Sequence, residues 1–573
     1  MNLKFWNFSL ILLLLTGCQT EKKEDTSFHP PNIIWLVAED MSPYLPVYGD
    51  STVVTPHLSQ LAKEGETYQH VYSTSGVCSP SRYSLITGRY HNSDGAQNHR
   101  TLGGKAYMEE IGLVPYEVVP PAGVRMFSEI LRENGYYCTN NSKTDYQFRQ
   151  TATGWDESSL SAHWRNRAKD QPFFSIFNFA ITHESQFFNP QSNFKMNYLM
   201  ESFPDYDQEQ NWGAPYSEQM QLLPDSIDNF PIPPYLPTTE IVVEDFKTMY
   251  NNLLILDRQI GVIIDQLKAD GLYDDSIIVF YGDHGGALPR QKRSLKDSGL
   301  RVPMIIKWPQ GERANTTNDQ MISFVDFGPT MLSLAGIKPH DFFQGKPFGG
   351  KYQTQPNEYI YAASGRFDEK YDMVRAVRDQ RYKYIKNYLP DLPYDLNLSY
   401  RNKIPTMQEL LRLKKEGKLN DQQAQWMAEQ RAPEELYDTQ NDPFELNNLA
   451  DQEKYRPTLE ALRKQCEDWM KKINDKGDIA EKDLLAAFWP NLQQPITQQP
   501  KITKADNITI TSNEKGVTIG FQMLKAGEAV RDNWKIYTEP IADVNNDVVK
   551  IVAVADRIGW QKSEVVAMDL GEE

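Results

Sequence analysis

The chain has 573 residues, more than one ordinary domain holds, and its 40% hydrophobic and 12% aromatic content is enough to build two or three packed cores. That composition excludes a disordered chain. A formal net charge of −17 excludes capture of nucleic acid by overall charge, although a local group of lysines and arginines can still hold a small anion.

At the start, Lys4 precedes an apolar run from Phe8 to Leu15 that is too short to span a bilayer, and Leu15-Thr16-Gly17-Cys18 follows. This reads as a signal peptide over 1–18 ending in a bacterial lipobox, with Cys18 as the lipidated residue and a charged tether over 19–30. The expectation is an exported lipoprotein, in the periplasm or outer membrane, held to the membrane by its lipid. An ordinary cleaved signal with an incidental cysteine is the alternative.

Asn32 to Ala38 is a continuous apolar run, predicting a strand buried on both faces, and Glu39 and Asp40 follow at its carboxyl end. Ligand sites of open α/β sheets lie at such ends, and adjacent carboxylates suit a hard cation such as Ca²⁺. Thr55 is the expected N-cap of a helix with Pro56 at its first position, and Thr67 to Tyr72 is a short strand. Met126 to Asn134 predicts a helix stopped by Gly135, and Tyr136 to Thr139 a short strand. Phe173 to Ala180 and Ile277 to Gly282 are further buried strands, ending at Thr182-His183-Glu184 and at Asp283-His284. Thr248 to Leu267 carries an apolar helical face of Leu253, Leu254, Leu256, Ile260, Ile263 and Ile264. Residues 185–235 are aromatic, Pro-rich and irregular, a candidate substrate-selecting wall. Met304 to Trp308 is one more strand. From about 360 the pattern changes: Val374 to Arg378 and Tyr382 to Ile385 alternate as half-exposed antiparallel strands do. Pro457 to Ile473 is a helix, Gln493 to Thr503 a Gln/Pro linker, and residues 504–573 a small β-sandwich-like domain.

The most informative stretch is Gly76-Val77-Cys78-Ser79-Pro80-Ser81-Arg82-Tyr83-Ser84-Leu85-Ile86-Thr87-Gly88-Arg89. Cys78 falls at a helix N-terminus, where backbone N–H groups favour negative charge, and Arg82 lies one turn later on the same face. By itself Cys78 reads first as a buried structural thiol, as free cysteines usually are. The full pattern Cys-x-Pro-Ser-Arg, four residues, Thr-Gly-Arg resembles the signature of the type I sulfatases of the alkaline-phosphatase-like superfamily. The resemblance, which runs over roughly 31–475, implies an α/β fold: a mixed sheet flanked by helices over 31–360, with a smaller C-terminal α+β subdomain over 361–490.

It also implies that Cys78 is matured to formylglycine, whose hydrate is the nucleophile, by a formylglycine-generating enzyme or an anaerobic maturase. Glu39, Asp40, Asp283 and His284, with the matured Cys78, match the family's Ca²⁺ site, with Glu39 in place of the usual aspartate. Arg82, Lys143 and Lys292 match its sulfate-holding cations. His183 matches a sulfate-facing histidine, and His183 or Lys292 is the proton donor to the leaving oxygen. Asp145 stands where the family has a histidine that positions the nucleophile, and His91 or His99 is the candidate replacement. His91, His99 and Arg100, in a polar stretch after the signature, are the candidate sugar-binding residues, with an ordinary surface loop as the alternative. Lys296 and Arg301 are read as structural cations. Glu435 to Asp438 with Asn441-Asp442-Pro443 resembles the family's C-terminal turn. With Cys18 and Cys78 so assigned, Cys138 and Cys466 remain for one disulfide or for two separate buried thiols.

The function implied is sulfate-ester hydrolysis on a sulfated polysaccharide or its oligosaccharides, such as ulvan. Within the family the chain looks closest to bacterial relatives of N-sulfoglucosamine sulfohydrolase. The alternatives are a phosphodiesterase or phosphonate hydrolase of the same superfamily, and a non-catalytic glycan-binding lipoprotein.

Overall fold

The computed structural model describes residues 29–188, 230–542 and 544–571. The signal, Cys18 and most of the tether, and residues 189–229 of the 185–235 insertion, lie outside the described residues. Among the described residues no helix is long and apolar enough to cross a membrane.

Eight strands form the main sheet: β1 (Asn32–Ala38), β2 (Glu66–Tyr72), β3 (Tyr137–Asn141), β4 (Glu157–Ser158), β5 (Phe173–Phe179), β6 (Ser276–Gly282), β7 (Arg301–Lys307) and β8 (Thr316–Ser323), in spatial order 4-3-5-1-6-7-2-8. β1 pairs in parallel with β5 and β6, and β7 runs against both of its neighbours. The apolar run of β1 serves two cores at once. Ile33, Trp35 and Val37 enter one, and Ile34, Leu36 and Ala38 the other, as the two-residue period of a strand requires. Each of the fully buried valine, leucine and isoleucine side chains contributes about 1.5–3 kcal/mol. Trp35 anchors its side edge-on against Phe174 and Tyr281, with ring centres 5.1 and 5.3 Å away.

Helices cover both faces. Those used below are α1 (Pro56–Glu64), α2 (Cys78–Thr87), α3 (Phe127–Glu133), α4 (Glu240–Ala269), α5 (Phe327–Leu334) and α6 (Arg456–Ile473). α4 extends beyond the expected 248–267, and its Leu254 is only half-buried while Ile255 is buried. At α1, Pro56 holds the first position, but Thr55 makes no side-chain cap. Asp257 of α4 accepts the free His57 and Leu58 backbone N–H groups instead, at 3.2 and 2.8 Å, so the cap comes from the neighbouring helix.

A second sheet, in order β12-β11-β10-β9, is antiparallel throughout: β9 (Ile360–Ser364), β10 (Val374–Arg378), β11 (Tyr382–Asn387) and β12 (Glu434–Asp438). Two expectations are corrected here. Glu435 to Asp438 is strand, not turn, and β10 is buried throughout rather than half-exposed. One of its faces packs on the main domain through Val374 and Ala376, and the other carries Val377 under α6. Its cations are buried because they are paired. Arg375 donates to Asp475 at 2.7 Å, and Arg378 to Asp297 at 2.5 Å.

The expected linker is ordered, and β13 (Lys501–Lys504) already lies within it. β13 pairs with β14 (Ile508–Thr511), beside a sheet in order β16-β15-β17-β18 made of β15 (Thr518–Lys525), β16 (Lys535–Ile536), β17 (Val548–Asp556) and β18 (Val566–Asp569). Apolar residues of the two sheets share one core, among them Ile502, Ile508, Ile519 and Ile551. This unit is tied to the main domain. Asp556 accepts the Ala152 N–H at 2.7 Å, Arg132 donates to the Trp534 carbonyl at 2.9 Å, and Gln494 donates to Glu117 at 3.1 Å. Cys138 and Cys466 are free thiols in separate cores, which settles their open choice.

Candidate active site

The parallel strands deliver their carboxyl ends to one side of the sheet, and α2 begins there. β1 is followed at once by Glu39 and Asp40, and β6 by Asp283 and His284. One 3-10 turn after β5 comes His183, and Lys143 lies just beyond β3. Cys78 is the first residue of α2, whose ten residues are all buried, and Gly88 closes the helix in the left-handed region at φ 63°. Lys292 arrives on the loop after β6. That loop lies directly on the turn into α2: Arg293 N–H donates to the Gly76 carbonyl at 2.8 Å, and a Cβ at Gly76 would stand 2.5 Å from the Ser294 oxygen.

These residues meet in one buried group. Asp40 Oδ1 lies 3.9 Å from Cys78 Sγ, and the Asp40 N–H donates to Asp283 Oδ1 at 3.0 Å. Lys292 Nζ donates to both Asp40 carboxylate oxygens at 2.8 and 2.7 Å and lies 3.5 Å from Cys78 Sγ. Lys143 Nζ donates to Glu39 at 2.6 Å. His284 Nε2 stands 3.3 Å from Cys78 Sγ and 3.0 Å from Asp40 Oδ1, while its Nδ1 faces the Gly285 carbonyl at 2.9 Å. A His183 ring nitrogen, a Glu39 oxygen and Cys78 Sγ lie within 4.8 Å of one another. Arg82 donates from Nε to Asp283 at 3.0 Å and from Nη1 to Asn178 at 2.8 Å. Its Nη2 is buried with no partner among the described residues. A buried guanidinium nitrogen without an acceptor is costly unless an anion is meant to meet it.

Burial pushes the Cys78 thiol up, but Lys143, Lys292 and His284 outweigh it and bring the group to about 6. Burial also raises Asp40 and Asp283. Lys292, His183 and His284 hold Asp40 well below the usual carboxylate range, and His284, Arg82 and Lys143 bring Asp283 to about 2. For His284 burial opposes the charge, and Asp283, Cys78 and Asp40 reverse that and lift the ring to about 10. The site is therefore an ionised cluster in a dry setting, suited to an anion and to a hard cation. Glu39, Asp40 and Asp283 are all buried, and Glu39 and Asp40 each stand in a close group with Cys78 and a histidine; buried carboxylate oxygens of this kind suit a hard cation such as Ca²⁺.

Sequence reasoning missed two supports. Glu184 is fully buried, accepts from Lys292 at 3.0 Å and Arg293 at 2.8 Å, and donates its N–H to Asp40 at 2.7 Å. Asn178 is the lone amide in the apolar β5, a signal that could have marked it.

The stretch after the signature is not a surface loop, and two of its residues do not line a sugar subsite. His91 is fully buried with Nε2 3.1 Å from the Thr74 carbonyl, and His99 is buried 3.4 Å from Asp368. Burial takes each to about 4, so both are neutral at pH 7. Neither makes a contact with Cys78 among the described residues; the imidazoles beside it are those of His284, at 3.3 Å, and of His183. Arg100 is partly exposed, with its guanidinium 3.2 Å from Asp368. Lys296 is buried against Glu435 and over the Tyr437 ring, a structural position.

The sulfatase family pattern matches residues 31–160 and 139–337, and the C-terminal pattern of N-sulphoglucosamine sulphohydrolase matches 282–432. An ulvan-active sulfatase of Formosa agariphila is 48% identical over 95% of this chain and 92% of its own length. Human N-sulphoglucosamine sulphohydrolase is 22% identical over 81% of this chain and 93% of its own. Among solved structures, a protein in complex with its substrate D-glucosamine-2-N,6-O-disulfate superposes with a TM-score of 0.53 at 18% identity, covering 79% of this chain and all of that one. A 2-O GAG sulfatase gives 0.50 at 18% identity, covering 78% and 93%. The fold is the alkaline-phosphatase-like one of these neighbours, with added antiparallel sheets towards the C-terminus.

Proposed function

The chain belongs to the sulfatase family and is a sulfuric ester hydrolase, and from that premise we propose that it desulfates a sulfated polysaccharide or its oligosaccharides, ulvan among them, using Cys78 matured to formylglycine and Ca²⁺ held by Glu39, Asp40 and Asp283. The observation that carries this reading is Arg82 Nη2, buried beside the Cys78 cluster with its two sister nitrogens fixed and no acceptor of its own. The ulvan-active relative at 48% identity supports the substrate class.

When present, formylglycine supplies an oxygen nucleophile at the place of Sγ, and Ca²⁺ polarises the sulfate oxygens. The chain's own residues do the rest. Arg82, Lys143 and Lys292 hold the negative charge of the sulfate, aimed in advance at where charge builds up. His284 positions the nucleophile, supplying the support that Asp145 does not. Lys292 is a poor proton donor: burial opposes its charge, but Asp40, Cys78 and Glu184 hold its proton far more tightly than usual. His183 is the better one. In the imidazolium form its Nδ1–H donates to Ser185 Oγ at 2.9 Å, which leaves the Nε2 proton for the leaving oxygen and a neutral ring once it is given up. The lipobox at Cys18 supports export and a membrane anchor.

The test is co-expression with a formylglycine-generating enzyme, intact-mass measurement at Cys78, and assay on sulfated glycans, aryl sulfate, aryl phosphodiester and phosphonate. The expected outcome is conversion of Cys78 and turnover restricted to sulfates, abolished in Cys78→Ala. Full turnover in that variant would refute the nucleophile assignment, and a preference for phosphodiester or phosphonate would overturn the reaction class.

A further inference from the structure

A second cationic group stands next to the sulfate-binding one, and desulfation of a single ester does not use it. Its hub is Tyr400, half-buried, from the subdomain after the main sheet. The Arg100 guanidinium lies 4.2 Å from the Tyr400 ring centre, Lys403 Nζ 5.1 Å, and Arg293 5.8 Å. Phe188 packs edge-on to Tyr400 at 4.8 Å, with Lys403 Nζ 5.6 Å from its ring. Aromatic faces hold cations in this way without neutralising them.

Charge is unevenly shared in this wall. Glu184 is divided between Lys292 and Arg293, and Asp368 between Arg293 and Arg100. Lys403 and Arg401 have no carboxylate at ion-pair distance among the described residues, although Asp395 lies within electrostatic reach of Arg401, and Arg401 is 1% exposed with Nε and Nη2 unbonded. A buried guanidinium with two free nitrogens, beside further cations, leaves a positive surplus that a ligand of opposite charge would balance. The wall is also fixed to the reaction centre. The Arg100 N–H donates to Ser79 Oγ at 3.3 Å, one residue from Cys78, and Glu184 joins Lys292 to Arg293.

We propose that Arg100 and Lys403, gathered by Tyr400, form a second anion subsite that takes a carboxylate or a further sulfate on the sugar next to the one being desulfated. The inference rests on the sulfatase reading. It makes the enzyme selective for glycans charged on consecutive residues, with Tyr400 as a positioning residue and Lys403 and Arg100 as the contacts.

The experiment compares kcat and KM of the matured enzyme, Lys403→Gln and Tyr400→Phe on three substrates: a small aryl sulfate, a sulfated oligosaccharide with a carboxylate on the neighbouring sugar, and the same oligosaccharide with that carboxyl reduced to an alcohol. Lys403 is exposed, so its replacement leaves folding intact. For Lys403→Gln the loss of kcat/KM on the carboxylate-bearing oligosaccharide is expected to exceed its loss on aryl sulfate by about tenfold, carried by KM. Tyr400→Phe keeps the ring and is expected to stay close to wild type. If reduction of the carboxyl removes the extra loss, the ligand is the carboxylate; if the loss persists on the reduced substrate, it is a second sulfate. Equal losses on aryl sulfate and oligosaccharide, or none on either, overturn the subsite while leaving the sulfatase reading in place. A wild-type enzyme inactive on every sulfate ester overturns both.

Discussion

Arg82 divides one planar fork among three tasks. Nε fixes Asp283, Nη1 fixes Asn178, and Nη2, without an acceptor among the described residues, is the donor assigned to the sulfate in the proposed function. A lysine keeps the charge but cannot make this division. Arg82→Lys is therefore expected to lower kcat/KM for aryl sulfate by about 10²–10³-fold, the usual cost of one lost transition-state donor, with the circular-dichroism spectrum unchanged. A loss below threefold would mean that the fork is not used. At this scale the clustering of these residues was legible in the sequence. Cys78 and Arg82 share one helical turn, and Glu39, Asp40, Asp283 and His284 each follow an apolar run that has to stop at the sheet edge. His91 and His99 were misread because local polarity says nothing about burial. Here the surrounding fold covers both rings, and burial keeps them neutral.

Elements built from one run of apolar residues were legible for the same reason: β1, β5 and β6 are buried on both faces whatever lies around them. β10 was not. Alternation of Val and Arg reads as a strand with one wet face, but Arg375 and Arg378 point into protein, and partners from distant segments, Asp475 and Asp297, satisfy them. No local pattern announces such a partner. The arrangement is expensive to break. Arg375→Ala leaves Asp475 buried without its cation, and a loss of about 3–5 kcal/mol is expected. Chemical denaturation read by hydrogen exchange on β9–β12 measures it, and a loss under 1 kcal/mol would show that Asp475 finds water or another donor. Similarly, the cap of α1 was assigned to Thr55 because the sequence rule looks only at neighbours, whereas Asp257 does the work from α4.

For the whole molecule, the C-terminal β unit is part of the enzyme's body rather than a free appendage. Asp556 sits at its seam, where burial raises the carboxyl to about 7, with Glu129 adding to the effect and the Ala152 and Arg557 N–H groups opposing it. The folded value lies above the unfolded one. Between about pH 4 and pH 7 the docked state therefore binds more protons, and its stability falls as pH rises through that window. Between pH 5 and pH 8 the seam is expected to lose roughly 2–4 kcal/mol, and Asp556→Asn, which cannot ionise, is expected to flatten that dependence. Hydrogen exchange of β17 at the two pH values, corrected for intrinsic rates, reads the difference; identical profiles in both proteins would exclude Asp556 as the titrating group. The close approach at Gly76 has a consequence in time. Because the strap bearing Lys292 is laid over the turn into α2, the Cys78 side chain is only 3% exposed once the chain has closed. If Cys78 is matured as proposed, an enzyme gripping this segment would have to act on the nascent or still-open polypeptide, and the catalytic competence of each molecule would be decided before its folding is finished.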